Sequence, residues 1–305
     1  MLFRSLSFVR KASEIVDLRE KIEAITTEGL DTEYEKKKWM VSATRVIAKI
    51  EKPEALQDIE GIIDAADGIM IARGDLGVEM PLEKVPLIQA QLVKMASQRN
   101  KPVIVATQML ESMTSNAHPT RAEVSDVATA VLSGADAVML SGETAAGKYP
   151  VESVKIMDSI VREVESYQWS QGHFGALQKE VSIDPVSNTI ARAATLISKD
   201  LEIHAINVPT YSGRTARMIS VARPNCPILA YCDHTKVVRQ MQLYWGVVPF
   251  WLDRHLDLET FSYVVEQNVK EMGIAEPGHY VLLVSSPIRS GVQRHVNSIM
   301  IYQIS

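Results

Sequence analysis

Cysteine is scarce in this sequence. Cys226 and Cys232 are the only two among 305 residues, too few for a disulfide framework, which fits a reducing compartment. C-x5-C is not a zinc spacing, and none of the seven histidines falls at a metal-ligand spacing, so both thiols read as ordinary buried cysteines. Aromatic residues are only 6%, and the four tryptophans, Trp39, Trp169, Trp245 and Trp251, show no base-stacking pattern. Basic residues do not dominate: 32 Lys plus Arg face 37 Asp plus Glu, a net charge of −5. That excludes a nucleic-acid binder built on a general basic surface. No apolar run approaches the roughly 20 residues needed to cross a bilayer, so an integral membrane protein is not expected. What is present is a globular balance, with 46% hydrophobic and 23% charged residues on a chain long enough for one large domain or two ordinary ones.

The first half carries a β–α rhythm. Apolar runs at Thr44–Glu51, Asp67–Asp75, Lys101–Gln108 and Ala135–Glu143 are rich in Val and Ile and apolar on both faces, as parallel strands covered by helices should be. Amphipathic stretches at Pro53–Ala66, Leu82–Asn100, Thr120–Leu132 and Pro150–Ser166 lie between and after them. Pro53 and Pro150 suit first-turn positions, and Gly134 suits a helix stop. The basic start, MLFRSLSFVRKASE, has the Arg and Ser of a transit peptide. It is short, however, and runs into a helical pattern over Ser13–Ile25, and Phe3–Val9 reads equally as a strand. Residues 167–187 break the rhythm with Gly, Ser, Gln and Pro and read as a linker. A second α/β rhythm follows, with five strands at Ile203–Val208, Ile228–Tyr231, Val247–Leu252, Tyr280–Ser285 and Ser298–Gln303. Helices are expected at Ser187–Lys199, Gly213–Ala222, Thr235–Tyr244 and Leu258–Met272. The Glu33–Lys38 charge run reads as a solvated helix face.

Ligands of parallel α/β proteins sit at the carboxyl ends of the strands, so the polar residues there are the informative ones. Lys49 and Glu51 are two apart and share a side of one strand. A cation and an acid ending an apolar strand need a partner or a ligand, and a mutual salt bridge is the plain alternative. The next run ends Arg73-Gly74-Asp75, where Gly74 allows close backbone approach. Glu51 and Asp75 on adjacent strands could hold Mg²⁺ or Mn²⁺, which prefer oxygen ligands. Thr107 and Ser141/Glu143 end the remaining runs at the same mouth. Such a set suits stabilisation of an enolate or a transferring phosphoryl group. In the second half, Thr210, Tyr211, Ser212, Gly213, Arg214 and Thr215 follow a strand and open a helix. Their N–H groups and hydroxyls suit a phosphate, or equally a plain turn with a helix cap. Ser286–Gly291 is a candidate facing loop.

The chain resembles pyruvate kinase over essentially its whole length. The stretches that carry the resemblance are AKIE (48–51), DGIMIARGDLGVEMPLEKV (67–85), KPVIVATQMLESM (101–113), PTRAEVSDVATAV (119–131) and MLSGETAAGKYPVE (139–152). The resemblance implies an α/β chain in which residues 1–167 form part of a TIM (β/α)8 barrel and residues 185–305 a three-layer α/β regulatory domain. It implies phosphoryl transfer from phosphoenolpyruvate to ADP, giving pyruvate and ATP in glycolysis, in a cytoplasmic homo-oligomer, a tetramer in the family. By position, Lys49 matches the lysine that stabilises the enolate and transferring phosphoryl group. Glu51 and Asp75 match the divalent-metal ligands. Gly74, Asp75 and Thr107 match substrate-contacting positions, and the threonine has been linked to protonating the enolate. Thr210 to Thr215 match the loop for a sugar-phosphate effector. Arg121 lies in the family's TRAE segment, near where subunits or domains meet, or else makes a helix-start salt bridge.

The resemblance also carries a departure. SFVRKA (7–12) corresponds to the end of the family's fourth barrel strand, so strands one to three and the inserted lid domain have no counterpart here. The family's K⁺ ligands and much of its nucleotide site are then missing. The expectation is a truncated or alternatively started form with open strand edges that turns over poorly or not at all. A competing reading is a non-catalytic regulatory fragment that binds full-length subunits or an effector through residues 185–305. A third, a metal-dependent aldolase or lyase acting on pyruvate enolates, is disfavoured by the second domain and by TQMLESM.

Overall fold

A computed structural model describes residues 3–27, 43–171, 185–253, 258–285 and 298–305. The expected linker core, the Glu33–Lys38 run and the Ser286–Gly291 loop lie outside the described residues. The described residues fall into two compact units, one holding 3–27 and 44–171 and the other holding residue 43 and those from 185 onward.

The first unit is built on five strands, β1 (Phe3–Leu6), β2 (Arg45–Ile50), β3 (Gly68–Ala72), β4 (Val103–Ala106) and β5 (Ala137–Met139). Their order in the sheet is β1-β2-β3-β4-β5, and every pairing is parallel. A parallel sheet whose neighbours follow chain order without reversal winds as a barrel does, because each right-handed crossover advances in the same direction. The helices are α1 (Ala12–Thr27), α2 (Ile59–Ala65), α3 (Arg73–Glu79), α4 (Val85–Gln98), α5 (Arg121–Leu132), α6 (Gly142–Ala145) and α7 (Pro150–Ser170). All but α6 contribute to one buried core with the sheet face carrying Val46, Ala48, Ile50, Ile69, Ile71, Val103 and Val105. The opposite face follows from the period-2 alternation of strands. Along it Lys49, Met70, Ile104 and Ala137 stand in register as one row, all half-buried.

In the second unit, α8 (Pro185–Asp200) precedes β6 (Ile206–Pro209), α9 (Arg214–Val221), β7 (Ile228–Cys232), α10 (Thr235–Met241), β8 (Val247–Trp251), α11 (Leu258–Glu271), β9 (Tyr280–Ser285) and β10 (Ser298–Gln303). The sheet order is β10-β9-β6-β7-β8, parallel except for β10 on the edge. Alternation sorts the strands onto two faces. Ile228, Ala230 and Cys232 pack with residues of α8, α9 and α10, while Leu229 and Tyr231 pack with Val265 and Val269 of α11. This is the three-layer arrangement expected from the sequence. Cys226 and Cys232 are buried and free, and burial pushes their thiols up to about 12 and about 11, so they are unreactive.

Helix boundaries follow local chemistry. Pro53 opens a 3-10 turn, Pro150 starts α7, and Gly134 adopts φ 93° just past α5. Several expected strand boundaries move; the Ala135–Glu143 run, for one, is a strand only over Ala137–Met139, and Glu143 lies in α6. The Asp67–Asp75 run ends as a strand at Ala72, and Arg73 starts α3, because the Arg73 side chain turns back into the protein rather than continuing the ladder. Asp75 therefore stands in the first turn of a helix and not on a strand. At α5, Thr120 and Glu123 form a capping box, and Glu123 also accepts from the Ser112 amide (2.7 Å) and hydroxyl (2.6 Å), which ties the preceding loop to the helix.

Burial raises the pKa of the Glu123 carboxyl, but the Ser112 and Thr120 hydrogen bonds outweigh it and hold the group below its ordinary value. A depressed pKa contributes stability above the unfolded value, and that contribution is lost as pH falls through the folded one. We expect the melting temperature of Glu123→Gln to lie below that of the wild type near neutral pH. The gap should close below about pH 4, since the unfolded Glu pKa is about 4.3. Thermal unfolding by circular dichroism at several pH values checks this.

Candidate active site

The carboxyl ends of β2, β3 and β4 lie side by side, and Lys49, Glu51 and Asp75 meet there. Glu51, just beyond β2, is only 1% exposed. Its Oε1 accepts from the Phe8 amide beyond β1 at 2.5 Å, and its other oxygen meets the Lys49 ammonium in an ion pair. The same ammonium reaches Asp75 Oδ2 at 3.1 Å, so one cation bridges two carboxylates from neighbouring βα units. Burial pulls the Lys49 pKa down, and the hydrogen bonds and charges of Glu51 and Asp75 more than reverse this, leaving it raised. The salt bridge between Lys49 and Glu51 given as the plain alternative is thus present. Glu51 Oε2 makes no hydrogen bond of good geometry and is buried.

Among the described residues no cluster of three or more His, Cys, Asp or Glu side chains is placed to hold a metal. Two carboxylates with hard oxygens do suit Mg²⁺ or Mn²⁺, which complete their shells with water or substrate oxygens. The ammonium now between them shows that this gap favours positive charge.

Thr107 follows β4 in an unusual conformation. Thr107 and Gln108 both have positive φ, 65° and 53°, a region that a β-branched residue avoids at a cost of about 1–3 kcal/mol per residue. The Thr107 hydroxyl donates to the Ala106 carbonyl at 2.6 Å and accepts from the Gly74 amide at 2.8 Å. A Cβ added at Gly74 would meet Thr107 Oγ1 at 3.4 Å, an ordinary contact. The protein itself therefore does not demand glycine here, and the case for Gly74 rests on ligand approach.

Two further side chains hold this turn. Arg73, 8% exposed, donates to the Thr107 carbonyl at 2.8 Å and pairs with Asp126 at 2.5 Å. Glu143, 1% exposed, accepts from the Leu110 amide at 3.0 Å and the Ser141 amide at 2.7 Å. The expectation that Glu143 serves the mouth is corrected: its carboxylate is spent on backbone amides and faces the core. The sequence reading passed over Arg73 as a residue in its own right. An arginine at the end of an apolar strand was the available signal, since a buried guanidinium has to find acceptors.

In the second unit, residues 210–215 make a tight turn between β6 and α9. Thr210 Oγ1 accepts from the Gly213 amide at 3.1 Å, and Gly213 has φ 78°. A Cβ at Gly213 would lie 3.0 Å from the Met241 side chain, a tight contact, and the positive φ is what favours glycine. The turn follows β6, where the sheet order steps from β6 to β7 on one side and to β9 on the other. Connections leave in opposite directions at such a point and open a crevice.

Comparison with known proteins agrees with these features. The model for the pyruvate kinase barrel domain matches residues 1–154, and that for the pyruvate kinase alpha/beta domain matches residues 188–302. Pyruvate kinase 2 of a Synechocystis species is 42% identical over 277 residues, covering 91% of this chain and 42% of that protein. A pyruvate kinase of Agrobacterium vitis is 39% identical over 304 residues, covering 99% and 58%. A crystal structure of a pyruvate kinase from Cryptosporidium parvum superposes with a TM-score of 0.84 at 32% identity, again covering 99% of this chain and 58% of that one. The chain thus spans about half the length of the relatives it matches. With both units matched by domain models of one family, the chain belongs to the pyruvate kinase family.

Proposed function

We propose that this chain carries the lysine–carboxylate part of a pyruvate kinase active site, serving phosphoryl transfer from phosphoenolpyruvate to ADP. The observation that supports this is the convergence of Lys49 Nζ on both Glu51 and Asp75. In the reaction, the bond from phosphorus to the enol oxygen breaks and the phosphoryl group passes to a terminal oxygen of ADP. The enolate left behind takes a proton at its methylene carbon to become pyruvate. Lys49 opposes the negative charge on the enol oxygen and the transferring group, and its ammonium needs no reorganisation to do so. Glu51 and Asp75 would hold Mg²⁺ or Mn²⁺, which when bound supplies further neutralisation of phosphoryl oxygens. The Gly74 backbone lies against the substrate, and Thr107 is the source of the proton. K⁺ is expected with the family and is assigned no residue here. On this reading residues 1–167 are catalytic and residues 185–305 regulatory, in a cytoplasmic homo-oligomer. Among the described residues no helix is long and apolar enough to cross a membrane.

A second reading has its own observation. The Thr210–Thr215 turn lies at the topological switch point of the second sheet, where α/β proteins bind ligands. A chain that binds a sugar phosphate there without turning over is the regulatory alternative, and the two readings are separable by titration.

Manganese binding to the full 305-residue chain, followed by electron paramagnetic resonance, tests the metal ligands. Glu51→Gln and Asp75→Asn are each expected to weaken Mn²⁺ by about tenfold or more, a loss of at least about 1.4 kcal/mol. Lys49→Met acts in opposite directions on two readouts. It removes the cation between the carboxylates, so Mn²⁺ binds more tightly, while any formation of pyruvate is abolished. Unchanged Mn²⁺ affinity in all three variants refutes the site. Calorimetric titration with ADP plus phosphoenolpyruvate, then with a sugar bisphosphate, decides between the readings. Bisphosphate binding without nucleotide binding favours the regulatory one.

A further inference from the structure

We infer that Arg73 is a positioning residue for the Thr107 hydroxyl, and that Asp126 holds Arg73 to that task. The inference rests on the reading of Thr107 as proton source, and its test separates the two. Arg73 is buried at the first position of α3. One arm of its guanidinium, Nη1, meets Asp126 Oδ1 at 2.5 Å and Gln89 Oε1 at 3.4 Å. The other, Nη2, meets the Thr107 carbonyl at 2.8 Å, the Gln108 carbonyl at 3.3 Å and Met109 Sδ at 2.8 Å. Two consecutive carbonyls share one nitrogen because both residues are left-handed, and that conformation needs an external hold to persist.

Position in the chain adds to this. The residue after Arg73 is Gly74, whose amide holds the Thr107 hydroxyl, and the next is Asp75, which meets Lys49. Three consecutive residues thus fix the carbonyl of Thr107, its hydroxyl, and the carboxylate–ammonium pair. Any shift of Thr107 relative to Lys49 has to break the Arg73 fork. A lysine at 73 would keep the charge but present a single point in place of two arms directed at different partners. Asp126 neutralises a guanidinium that would otherwise be buried with carbonyls alone.

The test uses the full chain with ¹³C at the threonine Cα and methyl carbons, the Thr107 signals being assigned by their loss in Thr107→Ser. In Arg73→Lys we expect the Thr107 signals to move or broaden while those of Thr195 and Thr210 stay in place. Pyruvate formation should show kcat reduced by about ten- to a hundredfold, as misplacement of a reacting group by about 1 Å does, with KM for phosphoenolpyruvate within about threefold. Asp126→Asn, which keeps the guanidinium, should shift the same signals in the same direction by less. A lowered melting temperature with Thr107 signals unmoved in Arg73→Lys means a merely structural arginine and overturns the inference. If Arg73→Lys does not fold, unmoved Thr107 signals in Asp126→Asn overturn it. If no form turns over, wild type included, the Thr107 signals decide the positioning role on their own, and the functional reading is judged by the Mn²⁺ titrations.

Discussion

Glu51 is a carboxylate almost wholly withdrawn from water at the end of an apolar strand, and the surroundings of the candidate site follow from compensating it. A buried charge is tolerated only with a partner and hydrogen bonds. Lys49 supplies the charge and the Phe8 amide supplies a donor. Because the ammonium also reaches Asp75, the same compensation links the βα unit of β2 to that of β3. On the proposed reading, the ammonium between two acids is the charge that opposes anionic phosphoryl oxygens, and the acids are the ligands of a divalent ion. The site's electrostatics exist before any ligand arrives, which is where preorganised sites gain their advantage.

The turn after β4 illustrates the same economy with opposite signs. Arg73 and Glu143 are both buried ions, and neither is aimed at solvent. Arg73 serves backbone carbonyls and Glu143 serves backbone amides. Between them they hold a segment whose left-handed Thr107 and Gln108 would relax if left alone. The polar residues at this end of the sheet therefore divide into those that present charge and those that maintain geometry. Residue type does not reveal which is which: Glu51, just beyond β2, and Glu143, in α6, are both 1% exposed glutamates, and only Glu51 pairs with the bridging lysine.

The second unit uses a different topology. Its sheet steps outward in both directions from β6, so the turn carrying Thr210–Thr215 stands at a topological switch point rather than at the end of a sheet that follows chain order. Gly213 is favoured there by its positive φ, which explains the glycine without reference to any ligand.

The strands and helices were legible because each segment's period matched its environment. The Val- and Ile-rich runs could only be buried strands, and Pro53, Pro150 and Gly134 marked helix ends by their backbone limits. The pairing of Lys49 with Glu51 was legible too, since two residues two apart in a strand must share a face. What lay beyond the sequence was direction over longer range. That Glu143 meets the Leu110 amide, and that Arg73 reaches Gln89, Asp126 and the Thr107 carbonyl, depend on partners 16 to 53 residues away. Local propensity acts over one or two turns, whereas a buried ion takes whichever acceptor the packed core brings within about 3 Å, and only the folded chain decides which that is.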